Sequence, residues 1–167
     1  MSELPAWPYP RYWAHRGAGK QAPENTLAAF RLGAAFGYGA FECDVKLSAD
    51  GKAFLLHDDT LNRTTDGYGR ADQYTLGELC QLDAGSWHST EYAGESLPSL
   101  KAILHFINAN QLMINVEIKP TIGREYETGA AVAMDVANQW SGDLPPLISS
   151  FSESALLGAK AAVPHLP

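Results

Sequence analysis

Apolar residues fall into short runs and longer stripes that alternate along the chain. The short runs are continuous or alternate with polar residues, which is typical of strands, whereas the stripes repeat every three or four residues, as in helices. Strands are predicted over 11–14, 40–45, 52–56, 113–118 and 147–151, and helices over 26–36, 75–80, 98–108, 125–140 and 154–162. This alternation, with one extra hairpin strand, predicts a parallel α/β fold.

Local signals mark several boundaries of these elements. Asn25 is a good N-cap for the first helix, and Thr75 with Glu78 forms a capping-box pattern. Asp50-Gly51 is a hairpin signal between the second and third strands. From 58 to 98 the periodicity weakens, and an irregular stretch of this length within a compact domain is typical of a functional insertion.

Composition and charge narrow the class of protein. The chain has 167 residues, 46% of them hydrophobic and 19% charged, which suits one compact domain with a buried core. The formal net charge of -7 argues against a nucleic-acid partner, which would need a basic patch, and mildly against docking on anionic membranes.

The sequence also indicates a cellular compartment. The two cysteines suggest no disulfide framework, and the first eight residues lack the basic and apolar segments of a signal peptide. Since no apolar run reaches 18 residues, stable membrane insertion is not expected. These observations predict a cytoplasmic protein.

The unusual feature is a pair of carboxylates in the second predicted strand. Glu42 and Asp44 are two residues apart, so their side chains point to the same face. Carboxylates forced together repel, so one takes up a proton or a cation lies between them. Cys43 then points to the helix layer as a packing residue. The simpler alternative is a solvated strand end, but Phe41 and Val45 on the other face favour burial.

Other ionisable residues stand at the ends of other predicted strands. Active sites of parallel α/β proteins lie at the carboxyl ends of the strands, so we expect these residues to meet the carboxylate pair. They are a third carboxylate, Glu117, the cations Arg16 and Lys119, and the histidines His15 and His57. For Glu117 and Lys119 the alternative is a mutual salt bridge, and each histidine could be a satisfied core residue.

Taken together, these residue types predict a reaction class. Oxygen-only ligands suit Mg²⁺, Ca²⁺ or Mn²⁺ better than Zn²⁺. Two cations beside a divalent ion make a site for a phosphate oxyanion. Two histidines can take one proton and give another near neutral pH. The set therefore predicts metal-assisted cleavage of a phosphoryl ester.

Six motifs over residues 11 to about 120 resemble the glycerophosphodiester phosphodiesterase family, most closely its compact bacterial cytoplasmic members. The motifs are His15-Arg16-Gly17, Pro23-Glu24-Asn25-Thr26, Glu42-Cys43-Asp44-Val45, His57-Asp58-Asp59, Leu61-Asn62-Arg63-Thr64-Thr65 and Val116-Glu117-Ile118-Lys119. They occur in the order and at the spacing of that family.

The resemblance implies a fold, a reaction and a role for each site residue. It implies a TIM (β/α)₈ barrel in which water cleaves a glycerophosphodiester to sn-glycerol 3-phosphate and an alcohol. The implied metal is Mg²⁺ or Ca²⁺. The implied roles are metal binding for Glu42, Asp44 and Glu117, phosphate binding for Arg16 and Lys119, and acid/base catalysis for His15 and His57. A histidine could activate either a glycerol hydroxyl, giving a cyclic phosphate, or a water.

An eight-unit barrel needs about 250 residues, and this sequence supplies about four βα units. We therefore expect residues 1–167 to form one family domain, shortened at its C-terminal end, with an insertion over 58–98. An incomplete barrel exposes apolar surface, which favours self-association. Two alternatives stay open: a weakly active or inactive half-barrel that binds metal or phosphate, and a related phosphodiesterase acting on a lysophospholipid or phosphoinositide.

Overall fold

The computed structural model describes residues 7–167, which form a four-stranded sheet and five α-helices. The strands are β1 (Ala40–Leu47), β2 (Ala53–Leu55), β3 (Met113–Ile118) and β4 (Leu147–Ser149). The helices are α1 (Leu27–Ala35), α2 (Leu76–Leu79), α3 (Leu100–Ala109), α4 (Glu125–Gln139) and α5 (Glu153–Ala162). Most predicted elements are found with ends shifted by a few residues.

The strands lie in the order β2-β1-β3-β4. β1 runs parallel to β3, and β3 runs parallel to β4, while β2 folds back antiparallel to β1. The predicted parallel α/β arrangement with one extra hairpin strand is therefore confirmed. The sheet is consistent with part of a β/α barrel, and its register sets Asp44 directly beside Glu117.

β1 is one of the two inner strands of the sheet, and all eight of its residues are buried. On one face Cys43 joins the main hydrophobic core together with Ile103 of α3 and Val132 of α4. The same pleat turns Glu42 and Asp44 to the opposite face. The structure thus confirms Cys43 as a packing residue, and its thiol is free.

The predicted strand over 11–14 is wrong in extent. Only Ala14 bridges to β1, beside Phe41, through a 2.8 Å bond from Ala14 N to Ala40 O. Just before it, the Trp13 indole donates to Pro10 O at 3.0 Å. A proline has no N–H to donate to a ladder, so the backbone around it leaves the sheet.

The N-cap of α1 also differs from the prediction. Thr26 caps the helix, because its hydroxyl accepts from Ala29 N at 3.3 Å. Asn25 lies in the left-handed region, at φ 59°, and its side chain turns into the polar face of the sheet. Asn25 tolerates this conformation better than most residues because asparagine is enriched there.

Residues 58–98 hold α2, two short 3₁₀ turns (Ala71–Gln73 and Thr90–Tyr92) and isolated bridges. A second hydrophobic cluster packs them against β2, and it includes Phe54 of that strand with Leu61 and Leu79. The predicted capping box of α2 is present. Glu95 Oε1 accepts from Ala28 N at 3.0 Å and so joins this region to the first turn of α1.

Across residues 7–167, no helix is long and apolar enough to cross a membrane. Residues 1–6, on which the prediction of no signal peptide partly rests, lie outside the described residues.

Candidate active site

Three carboxylates converge on the polar face of β1 and β3. Glu42 and Asp44 share that face of β1, and the parallel register brings Glu117 of β3 beside Asp44. One ligand atom from each of the three residues lies within 4.8 Å of the other two. This is the spacing at which one cation can contact all three.

Each of the three carboxylates turns a buried oxygen into the cluster: Glu42 Oε1, Asp44 Oδ1 and Glu117 Oε1. Glu42 Oε1 and Asp44 Oδ1 lack a hydrogen-bond partner among residues 7–167, whereas Glu117 Oε1 is in ion-pair contact with Lys119 Nζ. A buried carboxylate oxygen without a partner is unfavourable, so such atoms indicate a bound cation or proton. The donor set is entirely oxygen, which fits a hard divalent cation.

Crowding of charge is visible at Glu42. Burial, followed by the charge of Asp44, raises the pKa of Glu42 from its ordinary value of 4.5 to about 7. The Arg16 backbone N–H donates to Glu42 Oε2 at 3.0 Å and opposes part of this rise. In the absence of a metal ion, the cluster therefore favours a proton on Glu42 near neutral pH.

Two cations line the acidic cluster. Arg16 Nε lies 3.0 Å from Asp44 Oδ2, and Arg16 Nη1 donates to Glu24 Oε1 at 2.8 Å. Lys119 Nζ is in ion-pair contact with Glu117 Oε1 and lies 3.6 Å from Asp44 Oδ1. The Glu117–Lys119 pair foreseen as an alternative does exist, but Lys119 also faces Asp44. Both predicted cations thus lie at the predicted carboxylates.

The two histidines are not core residues. The His15 side chain is 64% exposed, with Nε2 at 3.8 Å from Glu42 Oε2. His57 is one-third exposed, and its Nδ1 lies 2.8 Å from Asp58 Oδ1. Both imidazoles therefore reach solvent, as groups that exchange protons with a substrate must.

His57 reaches this region by a route that the strand-end argument did not predict. Because β2 is antiparallel to β1, its carboxyl end does not lie at the carboxyl edge of β1 and β3. Instead, β2 runs back along β1 from the hairpin turn, and just after β2 ends Leu56 N donates to Asp44 O at 3.1 Å. His57 follows directly and so lies at the level of the carboxylates.

Four polar residues at the site were not predicted from the sequence. Asn25 bonds Asp44 on both its main chain and its side chain. The Glu24 carboxylate accepts a hydrogen bond from Arg16, and the Asp58 carboxylate contacts the His57 ring. Arg63 donates hydrogen bonds to both carboxylates. All four residues lie inside the six sequence motifs, which was the available signal, but the motifs did not reveal their contacts.

The fold and the site define a parallel α/β protein with an acidic cluster suited to a divalent cation, flanked by cations and histidines suited to a phosphate ester. The model of the glycerophosphoryl diester phosphodiesterase family matches residues 15–167, and the chain belongs to this family, whose members are phosphoric diester hydrolases. The resemblance noted in the sequence is thereby confirmed.

Relatives and solved structures agree with this assignment. A glycerophosphodiester phosphodiesterase of Caldanaerobacter subterraneus subsp. tengcongensis is 36% identical over 157 residues, covering 92% of this chain and 63% of the relative. A phosphodiesterase of Oleispira antarctica, solved with its product sn-glycerol-3-phosphate, has a TM-score of 0.90 and 46% identity, covering 94% of this chain and 64% of that one. A glycerophosphodiester phosphodiesterase of Agrobacterium tumefaciens has a TM-score of 0.75 and 32% identity, with 91% and 62% covered. The chain thus spans less than two thirds of the length of these relatives.

Proposed function

We propose that this chain carries the active-site residues of a metal-dependent enzyme that hydrolyses glycerophosphodiesters to sn-glycerol 3-phosphate and an alcohol. The observation that carries the proposal is the convergence of three carboxylates, each with one buried oxygen in the cluster, between two cations. The Oleispira antarctica phosphodiesterase, whose structure holds sn-glycerol-3-phosphate, supports the choice of substrate.

In this proposal Glu42, Asp44 and Glu117 hold Mg²⁺ or Ca²⁺. Both ions prefer oxygen ligands, and the three converging carboxylates supply them. When bound, such a cation polarises a phosphoryl oxygen and lowers the pKa of a coordinated hydroxyl. Arg16 and Lys119, already paired with these carboxylates, would turn their remaining N–H groups to the phosphate oxygens.

His15 and His57 would move the protons. One imidazole takes the proton of the attacking oxygen, which belongs to water or to a glycerol hydroxyl. The other gives a proton to the alcohol oxygen as its bond to phosphorus breaks. Their exposure supports this role, since both rings can meet a substrate that arrives from solvent.

The test is release of glycerol 3-phosphate from glycerophosphocholine by this chain. We expect release with Mg²⁺ or Ca²⁺, loss of release on chelation, and a loss of at least a hundredfold in His15→Ala, as is typical when an acid/base group is removed. His105→Ala, an exposed histidine of α3, is the matched control and should retain activity. Failure of the wild-type chain to release product with either ion would overturn the proposal.

A second candidate is a half-barrel that binds metal or phosphate without efficient catalysis and associates with itself. The observation that favours it is an apolar groove of about 370 Å³ along β4 and α5, lined by residues that include Ile148, Leu156 and Val163. A well-folded monomer with full activity in sedimentation and turnover measurements would eliminate this candidate.

A cytoplasmic location stays a prediction, supported by the free thiols of Cys43 and Cys80.

The related candidate that acts on lysophospholipids or phosphoinositides requires an apolar surface near the site. Phe151, which follows β4, is 94% exposed, and Lys119 Nζ lies 5.2 Å from the centre of its ring. Side-by-side turnover of glycerophosphocholine, glycerophosphoethanolamine and a long-chain lysophospholipid decides between the substrates. Preference for the water-soluble diesters supports the proposal made above.

A further inference from the structure

Arg63, in the region 58–98, makes two parallel pairs of hydrogen bonds. Its Nε and Nη2 donate to Asp58 Oδ2 and Oδ1 at 2.7 and 3.0 Å. Its Nη1 and Nη2 donate to Glu24 Oε2 and Oε1 at 2.8 and 2.9 Å. A guanidinium has five N–H donors, so four of them are already used. Arg63 is thus poorly placed to bind a phosphate itself.

Each carboxylate held by Arg63 holds a residue of the candidate active site in turn. Asp58 Oδ1 lies 2.8 Å from His57 Nδ1, and Glu24 Oε1 accepts from Arg16 Nη1 at 2.8 Å. Arg63 is therefore the shared partner of two contacts that reach His57 and Arg16. This one guanidinium therefore joins two segments that are distant in sequence, residues 16–24 and residues 57–63.

The charge states fix the direction of the contact to His57. The hydrogen bond from Arg63 is the largest cause that holds the pKa of Asp58 well below its usual range. Burial raises the pKa of Glu24, but Arg63 and Arg16 together outweigh burial and lower it. An ionised carboxylate only accepts hydrogen bonds, so His57 Nδ1 is the donor and the lone pair lies on Nε2.

We propose that Arg63 is a positioning residue. Through Asp58 it fixes the orientation and tautomer of His57, and through Glu24 it holds the Arg16 guanidinium in position. The inference rests on the proposed function, because it gives these two contacts a purpose in hydrolysis. An imidazole held by a carboxylate at Nδ1 presents Nε2 for proton transfer in one orientation. An arginine held at one Nη keeps its other donors aimed at the site.

The alternative is an ordinary surface ion pair, because the Arg63 side chain is 42% exposed. The chain offers a matched control in Arg70, which pairs with Asp72 through Nε and Nη2 at 2.9 and 2.7 Å. The Arg70 side chain is 44% exposed, and it lies in the same region of the sequence. The two arginines differ in that the carboxylates of Arg63 go on to hold site residues.

The kinetic test compares Arg63→Ala, Arg63→Lys and Arg70→Ala in the hydrolysis of glycerophosphocholine. We expect Arg63→Ala to lower kcat at least tenfold, with a smaller change in KM, while Arg70→Ala stays within twofold of wild type. Arg63→Lys should not restore kcat, because an ammonium cannot donate two parallel pairs of bonds. Unchanged kcat in Arg63→Ala, or full rescue by lysine, would overturn the inference.

A second measurement needs no activity and separates the inference from the proposed function. ¹⁵N NMR of the His57 ring at alkaline pH, where imidazoles are neutral, should show one tautomer with the proton on Nδ1 in wild type and in Arg70→Ala. Arg63→Ala should show a mixture of tautomers. If the wild-type chain does not hydrolyse the substrate, the proposed function fails, and the NMR result alone decides: an unchanged tautomer in Arg63→Ala refutes the inference.

Discussion

The carboxamide of Asn25 binds Asp44 at two points. Asn25 Nδ2 donates to Asp44 Oδ2 at 2.9 Å, and Asn25 Oδ1 accepts from the Asp44 backbone N–H at 3.1 Å. Both residues are almost fully buried. This pair occupies one oxygen of Asp44 and leaves Oδ1 facing the carboxylate cluster without a hydrogen-bond partner among residues 7–167. Asn25 and Arg16, whose Nε lies 3.0 Å from the same Oδ2, thus leave Oδ1 as the Asp44 oxygen available to a cation.

We expect Asn25→Gly to lower the free energy of unfolding by roughly 1–3 kcal/mol, because it leaves the buried Asp44 N–H unpaired and removes one hydrogen bond from the buried Asp44 carboxylate. Glycine is chosen because Asn25 lies at φ 59°, where glycine adds no strain. Gln111→Gly is the control, since Gln111 lies at φ 54° on the surface. Chemical denaturation measures both variants. Equal stability of Asn25→Gly and wild type would contradict the role given to this pair.

Glu117→Gln should weaken the binding of Mg²⁺ or Ca²⁺ at least tenfold, because it removes one of three charged ligands. Titration calorimetry on metal-free protein measures the affinity. Glu127→Gln is the matched control, because Glu127 is an exposed carboxylate on α4 that pairs with Arg124 and lies outside the carboxylate cluster. Identical affinities of the two variants would show that the cluster is not the metal site.

The raised pKa of Glu42 predicts a pH dependence of stability. In the unfolded chain Glu42 loses its proton as pH rises through 4.5. In the metal-free folded protein it keeps this proton until pH passes the folded pKa of about 7. The folded state binds more protons over this range, so stability falls as pH rises through it, by on the order of 3 kcal/mol. Above about pH 7 this contribution changes no further.

Denaturation of metal-free wild type and Glu42→Gln across this pH range tests that prediction. The difference between the two proteins isolates Glu42 from other titrating groups. We expect glutamine to remove most of the decline, and saturating Ca²⁺ to reduce it in wild type, since a nearby cation favours the ionised carboxylate. A wild-type curve parallel to that of Glu42→Gln would refute the assignment.

Gly33 of α1 lies against the turn that follows Arg16. A Cβ on Gly33 would stand 2.2 Å from Gly17 O and 2.7 Å from Phe41 Cε1. Gly33→Ala should therefore displace this turn and destabilise the protein by about 1–3 kcal/mol, as overpacking does. Gly77→Ala in α2 is the control, because, apart from its chain neighbours and the backbone of its own helix, no atom of residues 7–167 lies within 4 Å of its added Cβ. Thermal unfolding should show a lower Tm for Gly33→Ala and an unchanged or higher Tm for Gly77→Ala.

Features that depend on neighbouring residues were predictable. Glu42 and Asp44 share a face because a strand alternates its side chains, and the same rule sent Cys43 into the helix-side core. The capping box of Thr75 and Glu78 needs only a spacing of three residues, and it is present. The parallel sheet followed from the alternation of strands and helices.

Contacts for which the sequence offers more than one possible partner were not predictable. Asn25 has the chemistry of an N-cap, but Thr26 has it too, and the buried Asp44 competes for the Asn25 carboxamide. Similarly, Arg63 is an ordinary charged residue in an irregular segment. Its selection of Glu24, 39 positions away, depends on how that segment lies against the turn before α1.

The sequence by itself therefore determined the order of elements, the carboxylate pair of β1 and the kind of chemistry that the site residues can perform. Only the tertiary structure decided that Glu117 lies beside Asp44, that the antiparallel β2 brings His57 back to their level, and that Arg63 links His57 to Arg16. The physical reason is distance along the chain. Pleat, helix period and caps act between near neighbours, whereas strand register and loop docking are set by the packing of segments that only the folded chain brings together.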